Sequence, residues 1–383
     1  MVKEGKYMKK KILVMYARYG SGHAKIAEYV AKYIEENNND YEVLLLDMTN
    51  YGNSLGNFGV KVMDFVAKYR PEFIFNACYE IMDHRISVLG NNRFSKMSFD
   101  NNRLRTIISK FNPDITISTH FYCSSIINYY NELKIINSKI LTIITDYRIH
   151  ACWIKNHKKE DGYIVGNNVV KKELIKRGVN SNKIYSFGLP LNLEQTNNLE
   201  SKEKIYKRYN ISGKKKIYLF FGGSTAGSMY YYDYFKTLAK MNLNADIIFI
   251  SGKNEKLKTK CKRYVDDNNI SNIKVLGFTN DVFNLLKISD LVISKPGGAT
   301  ITECLEMKNP MLLVPGVGGQ EKYNARFIVR KKYGFKVRGL YKFKKVLNLL
   351  EKNPDMIEKI HERMKKINKN DSIIKINDLI SKM

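Results

Sequence analysis

Short apolar runs recur along the whole chain, separated by polar stretches with helical spacing. In the first half they are Ile12–Tyr16, Val43–Leu46, Ile115–Ser118, Ile140–Thr145, Tyr163–Val165 and Ile184–Phe187. In the second half they are Ile217–Phe221, Ile247–Ile250, Ile273–Leu276, Leu291–Ser294, Met311–Val314 and Phe335–Val337. Several are continuous rather than alternating, which predicts strands buried on both faces. Helical stretches between them predict parallel sheets joined by crossovers, an α/β architecture. Gly188-Leu189-Pro190-Leu191-Asn192 and the polar stretch after it predict a boundary, giving domains 1–190 and 191–383. The final stretch, Pro354 to Met383, reads as charged amphipathic helix, available to pack back on the first domain. No internal repeat is visible, although both halves share one architecture.

One region breaks the rhythm. Between Leu46 and Ile115 no strand pattern occurs. Phe58, Val62, Phe65, Val66 and Tyr69 fall at helical spacing, flanked by Lys61, Lys68 and Arg70. Phe73, Phe75, Tyr79, Ile81 and Met82 follow, then Arg85, Arg93, Lys96, Arg103 and Arg105. A basic helix with such a face can lie in a membrane interface, or pack on the domain's own sheet.

The loops that follow the strands carry the chemistry. After Leu291–Ser294 comes Lys295-Pro296-Gly297-Gly298-Ala299-Thr300-Ile301-Thr302-Glu303. Its glycines let the backbone approach a ligand closely. Thr300 and Thr302 are expected to open a helix, with Glu303 and Glu306 in its first turn; free N–H groups there suit a diphosphate. Glu303 could accept hydrogen bonds from ribose hydroxyls. A second loop, Gly319-Gln320-Glu321 with Asn324, could hold sugar hydroxyls. Ligands of open α/β sheets bind at the carboxyl ends of strands. The set therefore reads as a nucleotide-sugar site, where proline and paired glycines alone would read only as a turn. Phe220-Phe221-Gly222-Gly223-Ser224 follows another strand and could touch the diphosphate, while Phe278-Thr279 could lie beside the base.

In the first half, Tyr19-Gly20-Ser21-Gly22-His23-Ala24 follows the first strand. It is like a dinucleotide fingerprint, but Lys25 stands where the third glycine would be, and the acidic residue after the second strand would be Asp47. His23 at the helix start could act as a general base with a pKa near working pH, or cap the helix. A second cluster is Thr145-Asp146-Tyr147-Arg148-Ile149-His150 with Trp153. Asp146 could orient or deprotonate an acceptor hydroxyl. His150 and Trp153 could contact acceptor or donor; for Trp153 a place in the core is the alternative.

Composition narrows the partners. The 383 residues hold 65 Lys+Arg against 37 Asp+Glu, a formal charge of +28. Such a balance calls for nucleic acid, an anionic membrane surface or a phosphorylated substrate, or reflects a Lys-, Asn- and Ile-rich composition. No nucleic-acid motif accompanies the charge, and none is expected to bind. Five cysteines without C-x-x-C spacing argue against a disulfide framework and for a reducing cytoplasm. No histidine pair has metal-ligand spacing. No signal peptide is visible, and no run approaches the roughly 18 apolar residues that span a bilayer, so membrane contact is expected to be peripheral.

As an ordered set these residues resemble the monogalactosyldiacylglycerol synthase and processive diacylglycerol glucosyltransferase family, relatives of the lipid II-forming N-acetylglucosaminyltransferase. The resemblance runs from about Lys10 to Tyr333. It rests on Tyr19 to His23, Thr145-Asp146-Tyr147 with His150 and Trp153, Phe187-Gly188-Leu189-Pro190, Gly222-Gly223-Ser224, Lys295 through Glu303, and Gly319-Gln320-Glu321 with Asn324. It implies a GT-B fold, two Rossmann-like domains facing an interdomain cleft, with acceptor on the first and UDP-sugar on the second. It implies metal-free, cofactor-free inversion by direct displacement, the sugar passing from UDP-glucose or UDP-galactose to diacylglycerol at the inner face of the cell membrane. By the same carry-over His23 and Asp146 are catalytic, and Gly20, Gly22, Tyr147, His150 and Trp153 contact the acceptor. Gly222, Gly223, Ser224, Phe278, Thr279, Lys295, Gly297, Gly298, Ala299, Thr300, Glu303, Gln320, Glu321 and Asn324 hold the donor. A polyprenyl-linked acceptor and UDP-sugar 2-epimerase chemistry are the alternatives. Two features depart from the family pattern: Tyr16-Ala17-Arg18 precedes the first loop, and Val317-Gly318-Gly319-Gln320 lacks the usual proline.

Overall fold

The structure is a computed structural model that describes residues 9–18, 21–53, 61, 65, 79–80, 83, 98–223, 229–316 and 318–383, with Ser21 as backbone only. Gly20, Ser224 and most of the basic segment, including Phe58, Val62, Val66, Tyr69, Arg85, Arg93 and Lys96, lie outside the described residues.

The described residues form two units, one comprising those up to Lys61, those from Tyr79 to Leu191 and Asn370–Met383, the other Phe65 and Asn192–Lys369. The first contains β1 (Lys10–Tyr16), β2 (Tyr41–Asp47), β3 (Ile115–Ser118), β4 (Lys139–Ile144), β5 (Gly162–Val165) and β6 (Ile184–Tyr185). Before the boundary it contains the helices α1 (Ser21–Asn37), α2 (Asn102–Phe111), α3 (Phe121–Glu132) and α4 (Asn168–Lys176), among others. The strands pair in parallel in the order β2-β1-β3-β4-β5-β6. Their apolar side chains are buried because helices cover the sheet. Leu13, Met15, Ile126 and Ile140 join one core cluster, and Ile144, Trp153, Tyr163, Val165 and Leu174 another.

The second unit contains β7 (Lys216–Phe221), β8 (Ala245–Ile250), β9 (Ile273–Leu276), β10 (Leu291–Ser294), β11 (Met311–Leu313) and β12 (Gly334–Lys336). Its helices are α5 (Leu193–Asn197), α6 (Lys202–Tyr209), α7 (Tyr231–Ala239), α8 (Glu255–Asp267), α9 (Val282–Ile288), α10 (Gly298–Glu306), α11 (Gln320–Arg330), α12 (Gly339–Lys352) and α13 (Asp355–Lys365). The order is β12-β11-β10-β7-β8-β9, again all parallel.

Both orders contain a point where successive strands turn to opposite sides of the first one. It lies between β1 and β3 in one sheet and between β7 and β10 in the other. Such switch points open a crevice at the carboxyl edge, the place where these folds hold ligands.

The tail differs from the single helix expected over 354–383. It breaks after α13 and resumes as α14 (Ser372–Ser381). Asn and Asp compete with helix by bonding nearby backbone groups. Here Asn370 accepts from the Ser372 N–H at 3.0 Å and donates to the Leu189 carbonyl at 2.7 Å. α14 then buries Ile373, Ile376 and Ile380 in the first unit, beside α1. Among the described residues no helix is long and apolar enough to cross a membrane.

Candidate active site

In the first unit the switch point is built around His23. It stands in the first turn of α1, directly after β1, and is 8% exposed. Its Nδ1 donates to the Thr119 carbonyl at 2.7 Å, and Thr145 Oγ1 lies 3.1 Å from the same nitrogen. The Thr119 hydroxyl donates back to the His23 carbonyl at 3.0 Å. A carbonyl can only accept, so the proton sits on Nδ1 and the lone pair on Nε2. β4 ends at Ile144, one residue before the apolar run does, which leaves Thr145 in the loop that meets the ring.

Burial dominates the electrostatics here. It depresses the His23 pKa to about 4, against a smaller raising effect of the Thr119 hydrogen bond. The expectation of a pKa near working pH is thus corrected. Desolvation penalises the imidazolium, and the ring stays neutral at working pH.

His120 packs edge-on against His23, with ring centroids 4.8 Å apart. It is itself buried, held well below the ordinary histidine range by desolvation, and its Nδ1 accepts from the Tyr122 N–H at 3.2 Å. Trp153 completes the layer, 6.2 Å from both histidine rings and 5.6 Å from Phe121. It is 3% exposed and sits in the core, the alternative place for this residue.

The loop after β4 buries Asp146 and Tyr147. His150 has both nitrogens engaged. Nδ1 accepts from the Cys152 N–H at 3.2 Å, and Nε2 donates to the Tyr79 carbonyl at 3.1 Å. Asp83 pins the same loop: it accepts from the Ala151 N–H at 2.8 Å and pairs with Arg177 at 2.8 Å and Arg148 at 3.4 Å. Burial raises the Asp83 pKa, but hydrogen bonds from Arg177 and Ala151 outweigh it and hold the carboxyl below the usual range. Gly22 lies in the first turn of α1, and Asp47 pairs with Arg18 at 3.2 Å.

In the second unit, the loops after β7 and β10 flank the switch point. Gly222 packs its backbone against Phe249. A Cβ there would stand 2.5 Å from the Phe249 ring, so no larger residue fits without moving the core. α10 starts at Gly298, earlier than expected, and Glu303 therefore lies in its second turn and Glu306 at its end. No side chain caps α10, and a Cβ at Gly297 would meet nothing within 4 Å. Ala299 and Thr300 supply the next N–H groups of this open helix start. α11 also begins without a side-chain cap, at Gly319.

Lys295 and Glu321 join the two loops in an ion pair at 2.5 Å, and Asn324 donates to the Pro296 carbonyl at 3.2 Å. Glu303 is 2% exposed and Gln320 half-buried. Phe278 is 60% exposed, with Lys253 5.3 Å above its ring. The neighbouring Thr279 hydroxyl accepts from the Asp281 N–H at 3.0 Å. Among the described residues no three His, Cys, Asp or Glu side chains cluster as metal ligands.

Residues 23–191 match the monogalactosyldiacylglycerol (MGDG) synthase domain, and residues 217–377 the C-terminal domain of glycosyltransferase family 28. The chain belongs to the family of monogalactosyldiacylglycerol synthases and processive diacylglycerol glucosyltransferases. The processive diacylglycerol beta-glucosyltransferase of Bacillus pumilus is 29% identical over 83% of this chain and 80% of its own length. The Bacillus subtilis enzyme of that name is 27% identical over 83% and 81%. Among solved structures the chain is similar to Acinetobacter baumannii MurG, with a TM-score of 0.63, 13% identity and coverage of 98% and 100%. It is equally similar to Neisseria meningitidis UDP-GlcNAc 2-epimerase bound to UDP-GlcNAc, with a TM-score of 0.63, 13% identity and coverage of 97% and 100%. At those identities the likeness speaks for the fold alone, and the fold is GT-B.

Sequence reasoning passed over Thr119, His120 and Asp83. Thr119-His120 follows the recognised strand Ile115–Ser118, so the carboxyl-edge rule that picked out the other loops points to it as well. Asp83 carries no such signal, because its partner Arg177 lies 94 residues away.

Proposed function

We propose that the protein is an inverting hexosyltransferase that moves glucose or galactose from a UDP-sugar to the hydroxyl of 1,2-diacylglycerol, making a glycosyldiacylglycerol. The observation that carries the mechanism is the His23 ring, neutral and fixed in one tautomer by the Thr119 carbonyl. As the acceptor oxygen attacks the anomeric carbon, Nε2 takes its proton, and the bond from that carbon to the diphosphate oxygen breaks with inversion. Asp146 orients the acceptor hydroxyl. The departing UDP carries the negative charge. The open start of α10 receives it with N–H groups and a positive dipole end, so the reading calls for no resident metal. Glu303 serves the ribose; Gln320 and Glu321 serve the sugar hydroxyls, with Lys295 holding Glu321 in place.

The acceptor class follows from the family, whose relatives of similar length are named for diacylglycerol. We place the enzyme peripherally at the inner face of the cell membrane, its basic segment around Arg85, Arg93 and Arg103 meeting anionic lipid.

His23→Ala tests the mechanism. Turnover is expected to fall by about 10²–10⁴-fold while UDP binding, read by calorimetry, stays near wild type. Turnover at the wild-type level would remove His23 from the chemistry.

A further inference from the structure

From Lys331 to Leu350 the chain holds seven cations and no carboxylate: Lys331, Lys332, Lys336, Arg338, Lys342, Lys344 and Lys345. Most of this stretch forms β12 and the first three turns of α12. The helix turns Phe343, Leu347 and Leu350 into the core. At 100° per residue, Tyr341, Lys345 and Lys352 then lie on the opposite face, flanked by Lys342 and Leu349. This outer face is not uniformly polar. Tyr341 is 78% exposed and Leu349 43%. The helix has one carboxylate, Glu351, and that accepts the Asn244 N–H at 2.9 Å, on the flank toward the core.

A surface of lysines with an exposed tyrosine and a leucine matches what a bilayer interface offers. Anionic headgroups attract the lysines, and the apolar rings and chains enter the headgroup boundary. Its position also fits. In a parallel sheet all carboxyl ends share one edge, so the start of α12, reached from the end of β12, lies on the edge that carries the loops after β10 and β11.

We propose that the outer face of α12, centred on Tyr341, Lys342 and Lys345, is a membrane-docking surface of the second unit that binds anionic phospholipid. The proposal rests on the reading of the protein as an enzyme of lipid acceptors. It adds a contact separate from the basic segment of the first unit.

The test is flotation of the full chain with vesicles of phosphatidylglycerol in phosphatidylcholine, and of phosphatidylcholine alone. Each cation near an anionic surface is worth about fivefold in affinity. Lys342→Gln with Lys345→Gln is expected to weaken binding to the anionic vesicles at least tenfold. Tyr341→Ser should weaken it several-fold, and Tyr341→Trp should restore it. The control pair Lys256→Gln and Lys262→Gln removes the same charge from the exposed face of α8 and should leave binding near wild type. Turnover on short-chain diacylglycerol in detergent micelles should be unchanged in every variant. Unaltered vesicle binding in the α12 variants overturns the proposal. So does an equal loss in the control pair, which would mean net charge alone is read, and so does a preference for duplex DNA over vesicles. Absence of micellar turnover in the unmutated protein would instead count against the enzymatic reading.

Discussion

At the scale of single residues, burial decides the chemistry of this protein more than sequence motifs do. His23 and Glu160 illustrate opposite signs of the same effect. Burial holds His23 neutral by lowering its pKa to about 4, and holds Glu160 neutral by raising its pKa to about 8. Glu160 is 1% exposed and accepts from the Thr142 hydroxyl at 2.7 Å and from Asn128 Nδ2 at 3.3 Å; these bonds favour its charged form without offsetting the desolvation. The folded state therefore keeps a proton that the unfolded chain releases between about pH 4.5 and 8. Stability from this group is full below that window and declines as pH rises through it. Glu160→Gln has no proton to release. Relative to wild type it is expected to gain roughly 2 kcal/mol of unfolding free energy between pH 6 and pH 8, measured by urea denaturation at both. Parallel pH dependence in the two proteins would contradict the assignment.

The same residues mark what the sequence could and could not reveal. His23 was legible because a Gly-x-Gly loop after a strand singles it out. Its tautomer and depressed pKa were not, since they depend on Thr119, 96 residues away, and on Thr145, 122 away. His150 was legible as a polar residue at the sheet edge, but its bonds to Cys152 and Tyr79 depend on how the loop folds.

At the scale of elements, all twelve apolar runs became strands. Continuous Val, Ile, Leu and Phe runs bounded by polar segments have few other ways to hide. The ends were less legible, because where a strand stops depends on its neighbour's length. Ile140–Thr145 ends at Ile144. The start of α10 is hidden because paired glycines favour a loop, while Gly297 serves as the cap and Gly298 already turns with the helix. The tail's period continues across Asn368 to Asp371, and period alone does not register the Asn370 bonds that break the helix there. α14 is tied to the first unit by Ile376, fully buried, and by bonds from Lys10 to the Ile380 carbonyl at 3.2 Å and from Asn38 to Asn377 at 2.8 Å. Ile376→Ala should cost about 2–4 kcal/mol of stability, seen as a lowered denaturation midpoint. A shift below about 0.5 kcal/mol would mean that the helix contributes little to that core.

At the scale of the whole molecule, the two units share one plan and differ in what they place at the switch point. The first sets two histidines and an indole against each other in a dry layer. The second sets an open helix start beside an ion-paired carboxylate. One suits proton removal and the other an anionic leaving group, the two roles that the proposed transfer calls for. The formal charge of +28 is consistent with a partner surface of opposite sign, and α12 gives that charge a definite place.

The most direct test is the product itself. Purified protein, diacylglycerol in anionic vesicles and either UDP-glucose or UDP-galactose are incubated, and the lipids are read by mass spectrometry. The account predicts a hexosyl-diacylglycerol from one donor or both. No lipid product from either donor, in a preparation that is folded and still binds UDP, would contradict it.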